Sequence, residues 1–254
     1  MNLGLAQSVV IVTGAASGIG AAIARAAHAE GTGALVLTDR DEPALARVAT
    51  ELSAHPVTAD LSDPTAPARI AAEAITRFGR IDGLVNAAGL TTRGSFVTGT
   101  ADIWDQLFAV NARAAFLLMQ AAIADMTARR APGAIVNIGS MNAHCGIPDL
   151  AIYAATKGAL ATLTRNAAHA HMADAIRVNA INLGWVATEA EDRMQSQTLG
   201  HGPDWQATAA ASLPLGRLVT AEECATLALF LLGTASAPMS GAVIDFEQKV
   251  AGAL

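Results

Sequence analysis

Short apolar runs rich in β-branched residues alternate along this chain with longer segments in which apolar residues recur at helical spacing. The runs occupy residues 9–12, 34–38, 57–59, 83–86, 134–138, 177–181 and 242–246. Runs of this kind are typical of strands buried on both faces, as in parallel sheets covered by helices. The alternation therefore predicts an α/β fold, a doubly wound parallel β-sheet of about seven strands with helices on both faces.

A late helix is predicted over residues 221–232, because Thr220 and Glu223 form the sequence signature of a capping box before an apolar run. The chain has 254 residues, 52% of them hydrophobic and 4% aromatic, which suits helices packed closely on a sheet. A domain of this size buries roughly 70–75% of the surface of its unfolded chain. We therefore predict one domain over residues 1–254.

The segment over residues 189–218 is too long for a simple connection between two elements. It is rich in Gln, Gly, Ala and short polar residues. We predict a lid over about 184–218, with Trp205 and Leu213 on its apolar underside, that either moves or forms a rigid surface excursion.

The amino terminus predicts a strand, a glycine-rich loop and a helix, since Thr-Gly-Ala-Ala-Ser-Gly-Ile-Gly at 13–20 precedes an alanine-rich helical pattern. Gly14, Gly18 and Gly20 permit a sharp turn, close approach to a pyrophosphate and tight packing of helix on strand. Free N–H groups at the start of that helix favour phosphate. The arrangement predicts a Rossmann-type dinucleotide site that also includes Ser17 and Ile19.

The second apolar run ends in Asp39, nineteen residues after Gly20, where such sites place an acidic residue on the adenosine ribose. A carboxylate there accepts hydrogen bonds from both ribose hydroxyls and repels a 2′-phosphate. The neighbouring Arg40 could instead bind that phosphate. We predict NAD as the cofactor and keep NADP as the alternative.

Tyr153 and Lys157 are four residues apart in a helical pattern, and Ser140 follows the run at 134–138. Positions i and i+4 share one face of a helix, so the Lys157 ammonium is expected near the Tyr153 phenol. A neighbouring cation favours the phenolate, so we expect Lys157 to lower the pKa of Tyr153 from its ordinary value near ~10. Tyr153 could then take a proton from an alcohol whose oxygen is held by the Ser140 hydroxyl.

Together these motifs resemble those of the single-domain short-chain dehydrogenases/reductases, and the resemblance runs from about Val9 to Phe246. It extends to Asp60 and Leu61 after the third run, to Asn111, and to the segment Asn86-Ala87-Ala88-Gly89 after the fourth run. The resemblance implies a catalytic tetrad in which Asn111 holds a water that relays protons from Lys157. The tetrad consists of Asn111, Ser140, Tyr153 and Lys157.

The resemblance also implies contacts with the cofactor. Asp60 and Leu61 would touch adenine, residues 86–89 would form the floor under the cofactor, and Tyr153 and Lys157 would border the nicotinamide ribose. The Val186 amide and the Thr188 hydroxyl would hold the carboxamide.

The chain departs from the family pattern at Asn182-Leu183-Gly184, where proline usually occupies the middle position. Its loss frees φ and adds a backbone donor. We expect the turn to survive because Gly184 is present, and the resemblance implies a cofactor contact at Gly184 whose exact form the missing proline leaves open.

Polar residues follow the strands where a substrate would bind. We expect Asn142 and His144 to contact the substrate together with Ser140 and Tyr153, and the charges between Glu189 and Arg193 to be solvated. Each hydroxyl removed from water needs a partner, so this pocket suits a small hydroxylated substrate. Within the family, the chain is most similar to members that act on sugars and polyols.

The net charge is −6 and the sequence has no dense run of Lys or Arg, which argues against nucleic acid or an anionic membrane as partner. The sequence shows neither a secretory leader pattern nor a stretch judged long and apolar enough to span a bilayer, so we expect a cytoplasmic protein. No metal is expected, because the six histidines form no ligand cluster at a recognised spacing. Cys145 and Cys224 are expected to be reduced, with Cys145 a buried, inert thiol rather than part of the pocket.

Two other classes share these motifs. An NADPH-dependent 3-ketoacyl-(acyl-carrier-protein) reductase would use the same tetrad and could bind an acidic carrier through Arg129 and Arg130, although Asp39 argues against its cofactor. A non-catalytic nucleotide-sensing protein could keep the fold but would have no need of the tetrad. The resemblance further implies a homo-oligomer, a tetramer or dimer assembled through the helices that carry Asn111 and Tyr153.

Overall fold

A parallel sheet of seven strands forms the centre of the protein in the computed structural model, which describes residues 3–251. The strands in chain order are β1 (Val9–Thr13), β2 (Ala34–Asp39), β3 (His55–Thr58), β4 (Gly83–Asn86), β5 (Gly133–Ser140), β6 (Ile176–Leu183), β7 (Val186–Ala187), β8 (Val219–Thr220) and β9 (Val243–Phe246). The large sheet has the order β3-β2-β1-β4-β5-β6-β9, and β7 pairs with β8 in a small second sheet. The predicted fold class is confirmed; residues 1–2 and 252–254 of the predicted domain lie outside the described part of the chain.

Several strands extend one or two residues beyond the predicted apolar runs. Asp39 is the last residue of β2, Ser140 is the last residue of β5, and Leu183 is the last residue of β6. The third strand begins two residues earlier than expected and contains Pro56. Proline is tolerated there because β3 lies at the edge of the sheet, where a missing backbone donor breaks fewer ladder bonds.

Helices cover both faces of the sheet. They are α1 (Gly18–Ala29), α2 (Glu42–Glu51), α3 (Ala66–Phe78), α4 (Ala101–Phe108), α5 (Ala115–Arg129), α6 (Ala151–His171), α7 (Glu189–Arg193), α8 (Trp205–Ala211) and α9 (Ala221–Leu232). One core contains α1, α2 and α9 with Val10 and Val12 of β1, and the other contains α3, α5 and α6 with Ile11. Successive side chains of a strand point to opposite faces, so a continuous apolar run can supply both cores.

The start of α9 confirms the predicted capping box. The Thr220 hydroxyl accepts from the Glu223 amide at 3.2 Å, and Glu223 Oε2 accepts from the Thr220 amide at 2.9 Å. The helix runs over Ala221–Leu232, as the sequence predicts.

A π-helical turn, Ala109–Ala114, joins α4 to α5 in one continuous helical segment that contains Asn111. Residues 101–129 form a helix long and apolar enough, by length and composition, to cross a membrane. The sequence expectation that no stretch is apolar for long enough is therefore wrong. Half of the most apolar window is buried inside the fold, where Leu118, Ala122 and Met126 pack in the second core.

The predicted lid segment contains β7, α7, a π turn at Met194–Thr198 and α8, and β8 follows directly after it. Trp205 and Leu213 are buried on its underside together with Leu218. The Trp185 and Trp205 rings lie with centroids 5.7 Å apart, so the lid has a small core of its own beside the end of β6.

Candidate active site

The glycine-rich turn after β1 is built around close backbone contacts. Gly14 has φ +66°, and a β-carbon added there would lie 2.9 Å from Cα of Ala88. A β-carbon at Gly20 would overlap the carbonyl oxygen of Gly14. Only glycine fits at either position, and the segment after β4 consequently lies directly beside the turn.

Thr13 ties these two loops together. Its hydroxyl accepts from the amides of Ala87 and Ala88, each at 3.0 Å, and faces the carbonyl oxygen of Val85 at 3.4 Å. Sequence reasoning missed this residue. A hydroxyl at the carboxyl end of an otherwise apolar strand, next to a glycine turn, is the signal that could have found it.

The start of α1 leaves backbone donors available to an anion. Ser17 is the N-cap residue, it is exposed, and its side chain caps no backbone N–H of the helix. Ile19 is half-buried and packs against the first core. The first N–H groups of a helix have no partners within the helix and favour phosphate.

Asp39 lies at the carboxyl end of β2 beside the glycine turn. Its Oδ2 accepts from the Ala16 amide at 3.2 Å and its Oδ1 accepts from the Asp41 amide at 3.1 Å. A carboxylate has about four acceptor positions, so an acceptor position remains on each oxygen for a ribose hydroxyl. Arg40 is exposed.

The predicted adenine contacts follow β3. Asp60 Oδ1 accepts from the Ser62 amide at 2.8 Å, and hydrogen bonds from Ser62 hold the pKa of the exposed Asp60 below its usual value. Leu61 is buried in the second core. The glycine turn, the helix start and the Asp39 carboxylate thus fit the pyrophosphate and adenosine ribose of a nicotinamide dinucleotide.

Asn86 is directed into the protein. Its Nδ2 donates to Asn137 Oδ1 at 2.8 Å, and Asn137 Nδ2 in turn donates to the Thr164 hydroxyl at 2.9 Å. This buried chain links β4, β5 and α6. The Asn86 side chain therefore holds the carboxyl end of the sheet together, while Ala87, Ala88 and Gly89 form the surface next to the glycine turn.

The Tyr153 and Lys157 side chains meet on one face of α6, and both are buried. Lys157 Nζ lies 5.7 Å from the centroid of the Tyr153 ring and donates to the Ile138 carbonyl oxygen at 2.8 Å. That carbonyl belongs to β5, two residues before Ser140. The structure thus brings together the phenol, the ammonium and the serine hydroxyl that the sequence selects.

Burial changes the electrostatics of this pair. Burial raises the pKa of Tyr153, which the Ser140 hydrogen bond and the Arg93 charge only partly oppose. Burial also disfavours the charged form of Lys157, which lowers its pKa to about 8. The sequence prediction that Lys157 lowers the pKa of Tyr153 is wrong for the protein by itself, because removing both groups from water disfavours the charged form of each.

Asn111 lies in the π turn between α4 and α5. Its Oδ1 accepts from the Leu90 amide at 2.8 Å, and its Nδ2 donates to the Leu90 carbonyl at 2.9 Å and to the Thr156 hydroxyl at 3.1 Å. A β-carbon at Gly89 would lie 3.5 Å from Asn111 Oδ1 and 3.6 Å from Lys157 Nζ. Asn111 and Lys157 therefore border the same small space beside Gly89.

The loop after β5 places the two predicted substrate contacts differently. Asn142 donates to the Ser140 hydroxyl from both its amide and its Nδ2, each at 3.2 Å. His144 Nε2 instead contacts both carboxylate oxygens of Asp245, at 2.8 and 2.9 Å, and Asp245 also accepts from Asn182. Asn142 stands beside the reacting groups, whereas the His144 ring is tied to the end of β9.

Leu183 continues β6 in place of the family's proline, with Ser140 and Phe246 as its strand neighbours. The Gly184 amide donates to the Phe246 carbonyl at 3.1 Å. A β-carbon at Gly184 would overlap the Glu247 carboxylate, the end of a flexible side chain that can move aside.

The lid begins over the glycine-rich turn. A β-carbon at Gly18 would lie 3.5 Å from Thr188 Cγ2. Thr188 is also the N-cap of α7, where its hydroxyl accepts from the Glu191 amide at 3.2 Å. The Thr188 side chain and the buried Val186 therefore lie between the glycine-rich turn and the end of β6. The family resemblance puts the nicotinamide carboxamide at this place.

Two of the charges expected to be solvated are held by indoles. Glu191 Oε1 accepts from Trp185 Nε1 at 2.9 Å, and Asp192 Oδ1 accepts from Trp205 Nε1 at 2.7 Å. Glu189 and Arg193 are exposed, as expected. The solvated interpretation is wrong for Glu191 and Asp192, because each satisfies an indole donor that the lid core partly buries.

The two cysteines are free thiols, and they lie in different environments. Cys145 is exposed, so the expectation that it is buried is wrong, because it lies in the open loop between Ser140 and α6. Cys224 is buried in the first core, and burial raises its pKa to about 12. Only Cys224 fits the description of an inert structural thiol.

Comparison with known proteins places this site in a family. The family model described as Enoyl-(Acyl carrier protein) reductase matches residues 14–247. The chain is 39% identical over 255 residues to 2-(S)-hydroxypropyl-CoM dehydrogenase 3 of Xanthobacter autotrophicus, a match that covers 97% of this chain and 98% of that protein. It is 38% identical over 241 residues to galactitol 2-dehydrogenase (L-tagatose-forming) of Cereibacter sphaeroides, covering 93% and 92%.

The chain belongs to the short-chain dehydrogenase/reductase family, and its relatives include dehydrogenases and reductases of sugars and polyols. It is an oxidoreductase of the alcohol–ketone type. Among solved structures, L-sorbose reductase from Gluconobacter frateurii, in complex with NADPH and L-sorbose, superposes with a TM-score of 0.91 at 26% identity and full coverage of both chains.

Proposed function

We propose that the protein is an NAD-dependent dehydrogenase that interconverts the secondary alcohol and ketone of a polyol or sugar-type substrate. The observation that carries this proposal is the buried cluster at the carboxyl edge of β5. There the Tyr153 phenol lies next to both the Ser140 hydroxyl and the Lys157 ammonium, and Lys157 also borders Gly89.

The bound dinucleotide would supply the hydride acceptor, and its positive ring would favour the phenolate. Ser140 holds the substrate oxygen, and Tyr153 takes the hydroxyl proton as the carbon loses its hydride. In the reverse direction Tyr153 returns the proton to the carbonyl oxygen. Lys157 would border the ribose and would exchange a proton with a water held beside Asn111, which its pKa of about 8 allows near neutral pH.

NAD is preferred over NADP on the basis of Asp39. The carboxylate is oriented by two backbone amides and retains acceptor capacity for the ribose hydroxyls. A 2′-phosphate would place like charges together, which disfavours its binding. The L-sorbose reductase structure contains NADPH, so the family's fold alone does not decide between the two cofactors.

The hydroxylated substrate is supported by the chain's similarity to galactitol 2-dehydrogenase and by the polar groups around the reacting centre. Asn142 is close enough to Ser140 to contact a neighbouring hydroxyl of the substrate. A polar group buried with the substrate needs a hydrogen-bond partner, so such a pocket favours polyols over plain alkyl alcohols.

A 3-ketoacyl-(acyl-carrier-protein) reductase is the second candidate, and the likeness of this chain to the structure of such a reductase from Brucella melitensis, complexed with NADH, favours it (TM-score 0.86, 28% identity). The position of the basic doublet, Arg129 and Arg130, argues against this candidate. Arg129 is paired with Asp125 at 2.8 Å and reaches Asp82, just before β4. It therefore lies at the amino edge of the parallel sheet, opposite the carboxyl edge that carries Ser140.

The deciding experiment follows nicotinamide absorbance with NAD⁺ and NADP⁺ in parallel against galactitol, other polyols and simple secondary alcohols. We expect reduction of NAD⁺ with polyols, and a fall of about 10²–10⁴-fold in kcat for Tyr153→Phe. Activity confined to NADPH and a 3-ketoacyl thioester would replace this proposal with the reductase.

We also propose that the protein is a homo-oligomer. Two aromatic side chains on the α4–α5 segment are notably exposed, Trp104 at 46% and Phe116 at 43%. Light scattering should give a dimer or tetramer that is weakened by Phe116→Glu, whereas a monomeric wild-type protein at micromolar concentration would contradict it.

A further inference from the structure

The hydroxyl group of Ser140 is held by one neighbouring residue. Asn142 donates to Ser140 Oγ twice, from its backbone amide and from its side-chain Nδ2, each at 3.2 Å. Ser140 is buried, so these contacts take the place of water around its oxygen. A serine hydroxyl has two acceptor positions and one hydrogen to donate. The two N–H groups of Asn142 therefore occupy both acceptor positions and leave Ser140 its own hydrogen for any further contact.

The orientation of the Asn142 carboxamide follows from its other end. The backbone N–H of Ile147 approaches Asn142 Oδ1 at 3.3 Å. Because a backbone N–H can only donate, the carboxamide oxygen must face Ile147 and the NH₂ group must face Ser140. The reverse orientation would set two donors against each other at Ile147. The side-chain group that reaches Ser140 is therefore a donor.

The loop that carries Asn142 is held on two sides. His144 Nε2 contacts the carboxylate of Asp245 in β9 at 2.8 Å. A β-carbon at Gly146 would lie 2.8 Å from Cβ of Ala154, which follows the reacting tyrosine on α6. The loop thus lies between β9 and the start of α6, and Asn142 keeps its place beside the serine through contacts within the protein alone.

We propose that Asn142 is a positioning residue that fixes Ser140 as a hydrogen-bond donor toward the substrate oxygen. With both acceptor positions occupied, Ser140 cannot accept a hydrogen bond from the hydroxyl of an alcohol, so that hydroxyl is left to donate to Tyr153. The Ser140 hydrogen stays on the substrate oxygen, where it stabilises the negative charge that develops in either direction of the reaction. This inference rests on the proposed alcohol–ketone chemistry at Ser140 and does not depend on the substrate being a polyol.

Two substitutions of Asn142 test the role of its donor group. Asn142→Ala removes the Nδ2 donor, and we expect kcat for the alcohol that the wild type oxidises fastest to fall about tenfold. Asn142→Asp keeps the shape and the acceptor for Ile147, but its carboxylate would accept the Ser140 hydrogen and withdraw it from the substrate. We expect kcat to fall about 10²-fold in this variant, as when an oxyanion donor is lost.

Asn166→Asp is the matched control. It makes the same chemical change at an exposed position of α6, the helix that carries Tyr153. We expect its kcat to equal that of the wild type. An Asn142→Asp enzyme that is as active as Asn142→Ala would overturn the inference, because a carboxylate beside Ser140 would then leave the serine hydrogen on the substrate.

A double-mutant cycle with Ser140→Ala shows whether Asn142 acts through the serine. Ser140→Ala has no hydroxyl to orient, so Asn142→Ala should change its kcat by less than about twofold. Asn142→Asp should lose most of its effect there, since only the influence of the added charge remains. Equal fold-losses in both backgrounds would refute the inference, because Asn142 would then act on the substrate or on the fold without the serine.

Tyr153 supplies a readout that needs no turnover, because it is the only tyrosine in the sequence. Tyrosinate absorbance, measured with and without NAD⁺, therefore reports the pKa of Tyr153 alone. A serine that can only donate favours the phenolate, whereas a serine with a free acceptor position can also bind the neutral phenol. Asn142→Ala should therefore raise the pKa of Tyr153, and the same substitution in Ser140→Ala should leave that pKa unchanged.

The two readouts separate this inference from the proposed function. If the wild type turns over no alcohol or ketone with either dinucleotide, the proposed function fails by itself, and the tyrosinate titration decides the inference. A rise in the pKa of Tyr153 that requires Ser140 supports it. A pKa that is the same in the wild type and Asn142→Ala, or that rises equally in both backgrounds, refutes it. In an active enzyme, both kcat and the titration must show the dependence on Ser140.

Discussion

The Nζ atom of Lys157 donates to the carbonyl oxygen of Ile138 at 2.8 Å, so α6 is joined to β5 through a buried ammonium group. A carbonyl offers less compensation for lost hydration than a carboxylate would. Burial therefore lowers the pKa of Lys157 to about 8, and the protonated form costs stability in the folded state.

The stability cost of the protonated Lys157 changes over a defined pH range. Below pH 8 the lysine is protonated in both the folded and unfolded states and the full cost is present. As pH rises from about 8 to 10.5 the folded state loses its proton first, and the cost disappears. We expect the unfolding free energy of the wild type to gain about 3 kcal/mol relative to Lys157→Met across this window.

Urea denaturation of both proteins at pH 7 to 10.5 measures this difference. The opposing titration of Cys224 is common to both proteins and cancels. Lys249→Met removes the other lysine, which is exposed, and should show no such trend. A constant gap between wild type and Lys157→Met would mean that Lys157 is not desolvated in solution.

Asp39 should set cofactor preference. Asp39→Asn retains an oxygen for the Ala16 amide but removes the charge that opposes a 2′-phosphate. We expect the ratio of kcat/KM for NADP⁺ to that for NAD⁺ to rise by about 10- to 100-fold, or roughly 1.4–2.8 kcal/mol. Glu42→Gln, a change of the same charge at an exposed position nearby, is the control. Equal ratios in the two variants would remove Asp39 from the cofactor site.

Gly20 should tolerate no side chain. Alanine there would press a β-carbon onto the Gly14 carbonyl oxygen, which forces α1 away from the turn. We expect Gly20→Ala to destabilise the protein by about 1–3 kcal/mol and to abolish dinucleotide binding measured by calorimetry.

Gly158, which also lies in a helix, provides the control for Gly20→Ala. A β-carbon there would come no closer than 3.8 Å to the Ala143 carbonyl oxygen, so Gly158→Ala should stabilise α6 by about 0.5–1 kcal/mol. Normal dinucleotide affinity in Gly20→Ala would show that the turn can open without loss of function.

The indole of Trp205 should hold the lid closed through Asp192. Asp192→Ala leaves a buried N–H without its acceptor, which costs about 1–3 kcal/mol. Since proteolysis follows the population of open states, cleavage within residues 189–218 should accelerate about tenfold. Asp204→Ala is the control, because that exposed side chain caps no helix. Equal cleavage rates would indicate that the lid is held by apolar packing alone.

Sequence reasoning succeeded at several local signals. Gly83–Asn86 and Ala221–Leu232 have the predicted bounds, because strand and helix periods and a capping box depend on neighbouring residues. The spacing of Tyr153 and Lys157 on α6 is local in the same sense. It failed at Cys145, where loop exposure is not written into the residues around it.

By itself, the sequence determined the alternation of strands and helices, the glycine turn and the chemical identity of the site residues. Only the tertiary structure decided what each polar group meets: His144 pairs with Asp245 across 101 residues, and Asn86 donates to Asn137. It also decided that burial raises the pKa of Tyr153, against the sequence expectation. The physical reason is that hydrogen-bond partners and loss of hydration depend on segments distant in the chain, whereas periodicity and turn chemistry depend on the nearest few residues.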